Sequence, residues 1–464
     1  MDSHHKQSPV IVIMVPLPVQ SHMNQLLRLS CLISSHNIPV HYAASTVHNR
    51  QVKLRADDID PLDLERIHFH DMPLRPIVFP SPNPHSSTKF PTHLQPLIEA
   101  FPLFRRHFTV LLHGLLSPTA KRVVVIHDAL MASVVQDSVS IPNAETYAFT
   151  ASSAFSSLFD LWEAMGKPFQ IAAEVVPSEL PSVEDCLTFE FLNFILNQIE
   201  FLKFRTGDLI NTSRSVEATY IDLLEKVPGN KRYWAVGPMN PVTICSKHGN
   251  SNNRDKCLSW LDKQAPKSVI YISFGTITSV TDEQINEIAI SLEQCNTKFI
   301  WVLRNADKGD IFAEECRSAE LPEGFEKRTE CLGKIVRDWA PQLEILGHPS
   351  TGGFMSHCGW NSCLESLSMG VPIAAWPMHS DQPKNAVLIS EVLRVGLIVK
   401  KWTHAQEIVE SSHIKEAVRR LMASEEGDQM RKRAHAFRES FKQSLGNDGV
   451  SCTELESFVA HITR

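Results

Sequence analysis

The sequence predicts an α/β protein made of two doubly wound, Rossmann-like domains that face each other across a cleft. Segments typical of strands alternate with segments typical of helices, which is the order found in a mostly parallel sheet. A polar stretch rich in Gly, Pro and Asn over 237–255 interrupts the alternation, which then starts again. With 464 residues, the chain is also longer than one compact core usually accommodates.

The first domain is predicted from a series of apolar runs. Val10–Val15 is uninterrupted, as in a strand that helices cover on both faces. In the segment 22–34, Leu26, Leu29 and Ile33 recur at helical spacing. The other elements expected here are strands at Pro39–Ala44, Arg66–His70, Arg122–Ile126 and Glu145–Phe149, and an amphipathic segment over 92–115.

The second domain follows the polar stretch. A strand at Ser268–Phe274 leads to a helix at Thr281–Cys295, which opens on a capping box of Thr281 and Gln284. Further strands are expected at Phe299–Leu303, Lys334–Arg337, Gly353–Ser356, Pro372–Trp376 and Leu397–Lys401, and helices over 382–395, 411–424 and 427–445. We therefore expect domains at 1–240 and 256–445, a linker at 241–255, and a C-terminal segment at 446–464 with a last helix over 451–463.

Charge and cysteine content exclude several classes of function. The 45 Lys and Arg are outnumbered by 52 Asp and Glu, so no basic surface for nucleic acid is predicted. The 10 cysteines include no C-x-x-C pair, which favours reduced thiols and a cytoplasmic location. Pro16 and Pro18 interrupt the apolar N-terminal stretch, which we interpret as a buried strand, and no apolar stretch is long enough to span a membrane. A monomer is the expected state.

The segment Trp339–Gln382 contains the densest group of candidate binding residues. Within it, a predicted strand and a glycine turn lead into a helix that begins near Asn361. The N–H groups at a helix N-terminus favour phosphate, and His357 would add a side-chain donor that can carry charge. The alternative is that Ser362 and Glu365 only form a capping box for their own helix.

Two candidate catalytic residues follow predicted strands of the first domain. His22 comes after Val10–Val15, and Asp128 comes directly after Arg122–Ile126. The carboxyl ends of parallel strands meet at one edge of a sheet, where open α/β proteins bind ligands. A neutral imidazole is a suitable base for a hydroxyl group near neutral pH. A structural histidine and an aspartate that caps a turn remain the alternatives.

Several short motifs stand at fixed spacings, and together they carry a family resemblance. They are Pro16-x-Pro18-x-Gln20-x-His22, Ser273-Phe274-Gly275-Thr276, Trp339-Ala340-Pro341-Gln342, His357-Cys358-Gly359-Trp360-Asn361-Ser362, Glu365, Gly370-Val371-Pro372 and Asp381-Gln382. Over the whole chain they resemble the plant secondary-product glycosyltransferases, which transfer sugars from UDP-sugars and have the GT-B fold. Within that family the chain is similar to the zeatin O-glucosyltransferases, at Pro39-Val40-His41-Tyr42, Ile67-His68-Phe69-His70, Glu163–Pro168 and Trp376–Pro383.

The resemblance implies a role for each motif residue. For the UDP-sugar it implies Trp339 stacked on uracil, Ala340 at the edge of uracil, Gln342 and Glu365 on the ribose, His357, Asn361, Ser362 and Thr276 on the diphosphate, and Trp360, Asp381, Gln382 and Thr150 on the sugar. His22 would be the catalytic base, and Asp128 would bond the far nitrogen of its ring. The C-terminal helix would pack back on the first domain.

The activity implied is inverting transfer of glucose from UDP-glucose to a hydroxyl of a small hydrophobic acceptor. The first candidate acceptor is a cytokinin of the zeatin type; flavonoids, other phenolics and terpenols are alternatives, and a non-catalytic nucleotide-sugar or hormone receptor is a remote one. The segments Phe79–Phe101 and Phe149–Phe204 are expected to line the acceptor pocket. No cofactor and no metal ion are implied, since His68 and His70 share a predicted strand face without an evident third ligand.

One position departs from the family pattern. The family usually has glycine before the catalytic histidine, and this chain has Ser21. If that position required a positive φ, serine would strain the turn by roughly 1–2 kcal/mol.

Overall fold

Two parallel sheets form the framework of the protein. The structure is a computed structural model that describes residues 10–56, 59–74, 77–80, 92–116, 122–244, 255–304, 306–307, 311–312 and 320–464. The expected linker at 241–255 therefore lies mostly outside the described residues. The α/β class with two doubly wound sheets is confirmed, and the sheets account for the alternating pattern of the sequence.

The first sheet is built from the apolar runs of the N-terminal half. Its strands are β1 (Val10–Val15), β2 (Val40–Ser45), β3 (Ile67–Met72), β4 (Arg122–Asp128), β5 (Ala144–Thr150), β6 (Gly207–Ile210) and β7 (Tyr233–Ala235). All neighbours pair in parallel, in the order β3-β2-β1-β4-β5-β6-β7. Because helices cover both faces, β1 and β4 are buried along nearly their whole length.

The second sheet repeats this arrangement in the C-terminal half. Its strands are β8 (Val269–Ser273), β9 (Lys298–Val302), β10 (Gly333–Val336), β11 (Thr351–Ser356), β12 (Ile373–Ala375) and β13 (Gly396–Ile398). They are also all parallel, in the order β10-β9-β8-β11-β12-β13.

Helices connect the strands and cover both sheets. Those of the N-terminal half are α1 (Gln20–Ser34), α2 (Thr46–Leu54), α3 (Pro61–Glu65), α4 (Gln95–Ala100), α5 (Phe104–Leu115), α6 (Ala154–Ala164), α7 (Val183–Cys186), α8 (Phe189–Leu202) and α9 (Arg214–Leu224). Those of the C-terminal half are α10 (Lys256–Leu261), α11 (Asp282–Cys295), α12 (Phe325–Arg328), α13 (Gln342–Gly347), α14 (Trp360–Met369), α15 (Gln382–Val387), α16 (Ser411–Ala423), α17 (Glu425–Leu445) and α18 (Val450–Thr463).

The structure corrects two of the expected helical segments. The amphipathic segment over 92–115 contains a 3-10 turn at Thr92–Leu94, then α4, a second 3-10 turn at Phe101–Leu103, and α5. The break between α4 and α5 falls at Pro102, which has no N–H to continue the helical hydrogen bonds. The helix expected over 382–395 is α15 followed by a π-helical turn, Leu388–Val392. The side chain of Thr281 caps α11 by accepting a hydrogen bond from the backbone of Gln284, whose own side chain bonds Val409 instead.

The C-terminal helix α18 packs on the first sheet. The ring of Phe458 lies 5.2 Å from that of Tyr147 in β5 and 5.3 Å from that of Trp234 in β7. Arg214 at the start of α9 donates to Glu454 of α18 at 2.7 Å. The chain thus crosses from the second half back to the first, which ties the two halves together.

A hydrophobic cluster also joins the halves, since Phe155 and Phe159 of α6 belong to the same buried cluster as Cys363 and Leu364 of α14.

No helix in the described part of the chain has both the length and the apolar character needed to cross a lipid bilayer.

Candidate active site

A large cavity, of about 2190 Å³, lies between the two sheets. Its walls include residues at or after the carboxyl ends of strands in both sheets, such as Leu17 after β1, Phe274 after β8 and Arg304 after β9. This is the edge at which open parallel sheets bind ligands. All the residues that the sequence analysis assigned to the site line this cavity, namely His22, Asp128, Thr150, Thr276, Trp339, Ala340, Gln342, His357, Trp360, Asn361, Ser362, Glu365, Asp381 and Gln382.

The structure brings His22 and Asp128 into direct contact. Strands β1 and β4 are parallel neighbours, so the first turn of α1 lies beside the end of β4. Nδ1 of His22 is 2.6 Å from Oδ2 of Asp128, whose side chain is only 2% exposed, while that of His22 is 24% exposed. The other carboxylate oxygen accepts a hydrogen bond from the backbone N–H of Leu130 at 2.9 Å. Asp128 therefore both caps the turn after β4 and holds the imidazole.

This contact determines which nitrogen of His22 can act as a base. An ionised carboxylate only accepts hydrogen bonds, so we assign the proton between the two side chains to Nδ1. Nε2 then carries the lone pair. Burial lowers the pKa of His22, whereas the charge of Asp128 and the hydrogen bond to it raise it, and the net shift is upward from 6.5. The ring is thus a stronger base than a free imidazole.

The residue before His22 is not strained. Ser21 lies within α1 and is not among the described residues with positive φ, so the strain considered from the sequence is absent. Its backbone carbonyl accepts a hydrogen bond from Nδ2 of Asn361 at 2.9 Å. Position 21 therefore contributes a carbonyl that contacts the opposite domain.

The residues proposed to bind the uracil and the ribose of the donor lie along one wall of the cavity. Trp339 precedes α13, and 42% of its surface is exposed. Nε2 of Gln342 donates to Oε2 of Glu365 at 2.7 Å and to Oγ of Ser362 at 2.9 Å. Burial raises the pKa of Glu365, and the hydrogen bond from Gln342 lowers it, with a net upward shift. This amide and carboxyl pair can bind two adjacent hydroxyl groups.

The backbone next to Trp339 is already engaged. The carbonyl of Ala340 accepts a hydrogen bond from the backbone N–H of Gln342 at 2.8 Å. A carbonyl oxygen has two lone pairs, so one remains for a second donor, such as the edge of a base.

Helix α14 begins at Trp360, and its N-cap residue, Gly359, has no side chain to cap the first turn. The capping box considered from the sequence is wrong: Ser362 lies in the first turn of the helix, and Glu365 is bound by Gln342. The helix N-terminus opens on the cavity and can bind an anion.

His357 fills the space between two glycines. A Cβ atom on Gly275 or on Gly359 would lie 2.5 Å from Nε2 of His357, so only glycine leaves room for the ring. Burial lowers the pKa of His357 to about 4, so the ring is neutral at pH 7 and the positive charge considered from the sequence is absent. Cys358, which lies between His357 and Gly359 in the sequence, has a φ of 64°. This places backbone strain next to the N-terminus of α14.

The residues proposed for the sugar lie where α14 and α15 begin. Asp381 accepts a hydrogen bond from Asn385 at 2.8 Å. Burial raises the pKa of Asp381, the hydrogen bond from Asn385 and the charge of His22 lower it, and the net value is about 6. Oε1 of Gln382 accepts from the backbone N–H groups of Met378 and His379 at 3.0 and 3.1 Å. Its Nε2 lies 3.1 Å from Nε2 of His379, so one of the two amide hydrogens remains for a ligand.

Trp360 lines the cavity and also contacts the first domain. The residue is only 3% exposed, and its indole N–H donates to the backbone carbonyl of Asn211 at 2.7 Å. Thr150 ends β5, and Thr276 follows β8, so each is placed at the cavity by the end of a strand or the loop after it.

Sequence reasoning missed the contacts that cross the cavity. The side chain of Gln25, one turn after His22, donates to the side-chain oxygen of Asn361. Arg55 from the first domain lies over the ring of Trp339, with its Cζ atom 4.3 Å from the ring centroid. Gln25 and Asn361 are 336 positions apart, both contacts join different domains, and no motif marks them.

The histidines of β3 have a partner that the sequence did not reveal. Nδ1 of His41 lies 2.8 Å from Nε2 of His70, and its ring stacks on that of His68 at 5.0 Å. Among the described residues, however, no group of three or more His, Cys, Asp or Glu side chains is arranged to hold a metal ion.

Comparisons with known proteins agree with this geometry. Residues 8–241 match the model of the glycosyltransferase N-terminal domain, and residues 238–431 match that of the UDP-glucuronosyl and UDP-glucosyl transferases. The zeatin O-glucosyltransferase of Phaseolus lunatus is 52% identical over 99% of this chain and 98% of its own, and the zeatin O-xylosyltransferase of Phaseolus vulgaris is 51% identical over 99% of both chains.

A solved structure extends the likeness to three dimensions. The crystal structure of a UGT transferase from Siraitia grosvenorii in complex with UDP is 28% identical, with a TM-score of 0.75 over 98% of this chain and 100% of that one. With two family models and full-length relatives in agreement, the chain belongs to the UDP-glucuronosyl and UDP-glucosyl transferase family and is a UDP-sugar-dependent glycosyltransferase.

Proposed function

We propose that this enzyme transfers glucose from UDP-glucose to the side-chain hydroxyl of a cytokinin of the zeatin type, with inversion at the anomeric carbon. The observation that carries the proposal is the 2.6 Å contact between His22 and Asp128 at the edge of the cavity. A binding protein needs no such oriented base, which makes the receptor alternative the weaker one. Two relatives more than 50% identical over nearly the whole chain are named for O-glycosyl transfer to zeatin.

The proposed chemistry is a single displacement. The acceptor hydroxyl gives its proton to Nε2 of His22 while its oxygen attacks the anomeric carbon, and the bond between that carbon and the β-phosphate oxygen breaks. UDP leaves with the electron pair of that bond, and the imidazolium is stabilised by Asp128. Attack from the face opposite UDP inverts the anomeric centre.

The leaving diphosphate would be stabilised by the N-terminus of α14. Its first turn, which contains Asn361 and Ser362, lines the cavity, and the helix dipole favours the growing negative charge. Thr276 and the neutral ring of His357 supply further donors. In this proposal no metal ion is needed to carry that charge.

The donor sugar is proposed to be glucose on the strength of Gln382. Gln382 lines the cavity next to Asp381, and one amide hydrogen of Gln382 and the carboxylate of Asp381 can bond hydroxyl groups of a hexose. The two Phaseolus relatives are named for different sugars, glucose and xylose, at nearly equal identity. A comparison of UDP-glucose with UDP-xylose as donor therefore tests this part of the proposal.

The acceptor side of the cavity is apolar with few polar groups. It is lined by Leu97, Phe101, Leu161, Phe191 and Ile195. Of the segments expected there, 81–91 lies outside the described residues. Such walls fit a flat or prenylated acceptor with one reactive hydroxyl, which is the chemistry of zeatin.

The proposal also includes a monomeric enzyme located in the cytoplasm, which is consistent with the eight described cysteines that are free thiols.

A mass-spectrometric acceptor screen tests the proposed function. The purified enzyme is incubated, in the presence of EDTA, with UDP-glucose or UDP-xylose and one acceptor from a panel of trans-zeatin, cis-zeatin, flavonols and terpenols. We expect the O-glucoside of a zeatin isomer to form fastest, with EDTA having no effect. A faster flavonol or terpenol reaction would replace the acceptor, and loss of activity with EDTA would contradict the metal-free step.

Replacing Trp339 with alanine tests the donor site. Base stacking on an aromatic side chain contributes about 1–3 kcal/mol, so the KM for UDP-glucose should rise by roughly ten- to hundredfold while kcat changes much less. Steady-state kinetics at saturating acceptor measures both. Trp402→Ala, at a surface 3-10 turn outside the cavity lining, is the matched control. An unchanged KM in Trp339→Ala would rule out the stacking role.

A further inference from the structure

A network of charged side chains joins the two domains beside Trp339, the proposed nucleobase site. Nη1 and Nη2 of Arg55, just after α2, donate to the two carboxylate oxygens of Asp307 at 2.8 and 3.3 Å. The two residues are 252 positions apart and belong to different domains. Arg304, after β9, also bonds Asp307, so one carboxylate is shared by two guanidinium groups.

Asp307 is held from both domains through its backbone as well. Its carbonyl lies 3.0 Å from Nε2 of His93 in the first domain. Its N–H donates to the carbonyl of Thr276 at 2.6 Å, in the loop proposed to contact the diphosphate. The position of this carboxylate is therefore determined by contacts from both domains.

This pair is more than a surface ion pair. The side chains of Arg55 and Asp307 are only 9% and 12% exposed, and their contact is bidentate. A bidentate pair fixes direction as well as distance, and removing one partner of a buried pair leaves the other charge uncompensated. Exposed pairs, by comparison, contribute little.

Arg55 links two parts of the active site. Its guanidinium lies over the ring of Trp339, 4.3 Å from the centroid, and that of Arg304 lies 5.8 Å from it. Nη1 of Arg55 also donates to the side-chain oxygen of Gln20 at 3.0 Å. Gln20 is the first residue of α1, the helix that carries His22.

We propose that Arg55 and Asp307 are a positioning pair that couples the approach of the two domains to the geometry of the nucleobase site at Trp339. The inference rests on the proposed donor site. The guanidinium fixes the indole from the first domain, and Asp307 fixes the guanidinium from the second. UDP then binds to a ring that is already oriented, which reduces the ordering that binding must supply. Neither residue takes part in the transfer step.

A double-mutant cycle on UDP binding tests the proposal. Isothermal titration calorimetry gives the Kd of UDP for the full-length wild type, Arg55→Met, Asp307→Asn and the double variant. We expect each single substitution to weaken UDP binding about tenfold, and the double variant to be weakened about tenfold as well, since both remove one interaction. Arg55→Lys keeps the charge but not the bidentate geometry and should fall between wild type and Arg55→Met.

Steady-state kinetics separates positioning from general damage. In Arg55→Met, Asp307→Asn and the double variant, the KM for UDP-glucose should rise while kcat at saturating donor stays within about threefold of wild type. Arg105→Met is the matched control, because Arg105 makes a bidentate pair with Asp137 at 2.7 and 3.1 Å on the surface of the first domain, outside the cavity lining. It should leave both constants unchanged.

Three results would overturn the proposal. The first is an unchanged or lower Kd of UDP in Arg55→Met. A lower Kd would show that Arg55 competes with the uracil for the ring of Trp339. The second is additive losses in the double variant, and the third is a fall in kcat as large as the rise in KM. A wild type that does not bind UDP would overturn the proposed function together with this inference, whereas normal UDP binding in wild type and all variants overturns the inference alone.

Discussion

Replacing His22 with alanine should abolish nearly all sugar transfer while leaving UDP binding within a few-fold of wild type. An acceptor alcohol is a poor nucleophile, and a positioned base contributes about 10²- to 10⁴-fold to such a step. His22 contacts Asp128 and faces the cavity. The residues proposed to bind the uracil, ribose and diphosphate of the donor all belong to the second domain. We therefore expect kcat to fall by that factor, measured as UDP release with saturating UDP-glucose and zeatin.

The control for this variant is His36→Ala. His36 is exposed, lies just beyond the end of α1 and does not line the cavity, so its loss should not change kcat. The acceptor gives a second discrimination. A phenol ionises near pH 10 and needs less help from a base than an aliphatic alcohol does, so a residual rate should persist for phenols only. Full turnover of zeatin by His22→Ala would exclude His22 as the base.

Asp128→Asn is the second substitution with a large expected effect. Asparagine keeps the shape and can still accept the hydrogen bond from Leu130, but it removes the charge beside His22. An amide that donates to Nδ1 leaves the proton of the ring on Nε2, so the nitrogen that should act as a base becomes a donor. We expect kcat to fall by about 10²- to 10⁴-fold with little change in the Kd of UDP.

The pH dependence of the residual activity identifies the cause of that loss. Neutral imidazole is the active form, so the activity of the wild type should decrease as the pH falls through the raised pKa of His22, above 6.5. Without the charge of Asp128 that pKa is lower, and the acid limb of kcat/KM should move to lower pH. Asp137→Asn, in the surface pair with Arg105, should leave the limb in place. An unmoved limb in Asp128→Asn would contradict the assigned contact.

The fold was largely predictable because each strand of a covered parallel sheet is a short apolar run. Val10–Val15 and Arg122–Ile126 have that pattern, and they are the strands that place the His22–Asp128 pair. Two helices, α8 and α9, are not marked by a clear pattern in the sequence. Helix α8 has apolar residues around most of its circumference, and the buried face of α9 includes a charged residue, Glu217, so neither shows a clean apolar stripe in the sequence.

The site was predictable for another reason. Residues such as Trp339, Gln342 and Glu365 stand close together in the sequence, so a motif can reveal them. Arg55 and Asp307 form one contact from opposite domains, and no spacing along the chain indicates it. The neutral state of His357 was likewise hidden, because its pKa depends on burial between two glycine turns.

The central claim is a single displacement at the anomeric carbon, driven by His22 in a cleft that holds both a UDP-sugar and a hydroxylated acceptor. Proton NMR of the product made from UDP-glucose and trans-zeatin tests it most directly, because the donor is an α-glucoside of UDP. We predict an O-glucoside with the large coupling between H1 and H2 of a β-linkage. A product with the small coupling of an α-linkage would show retention and contradict the account.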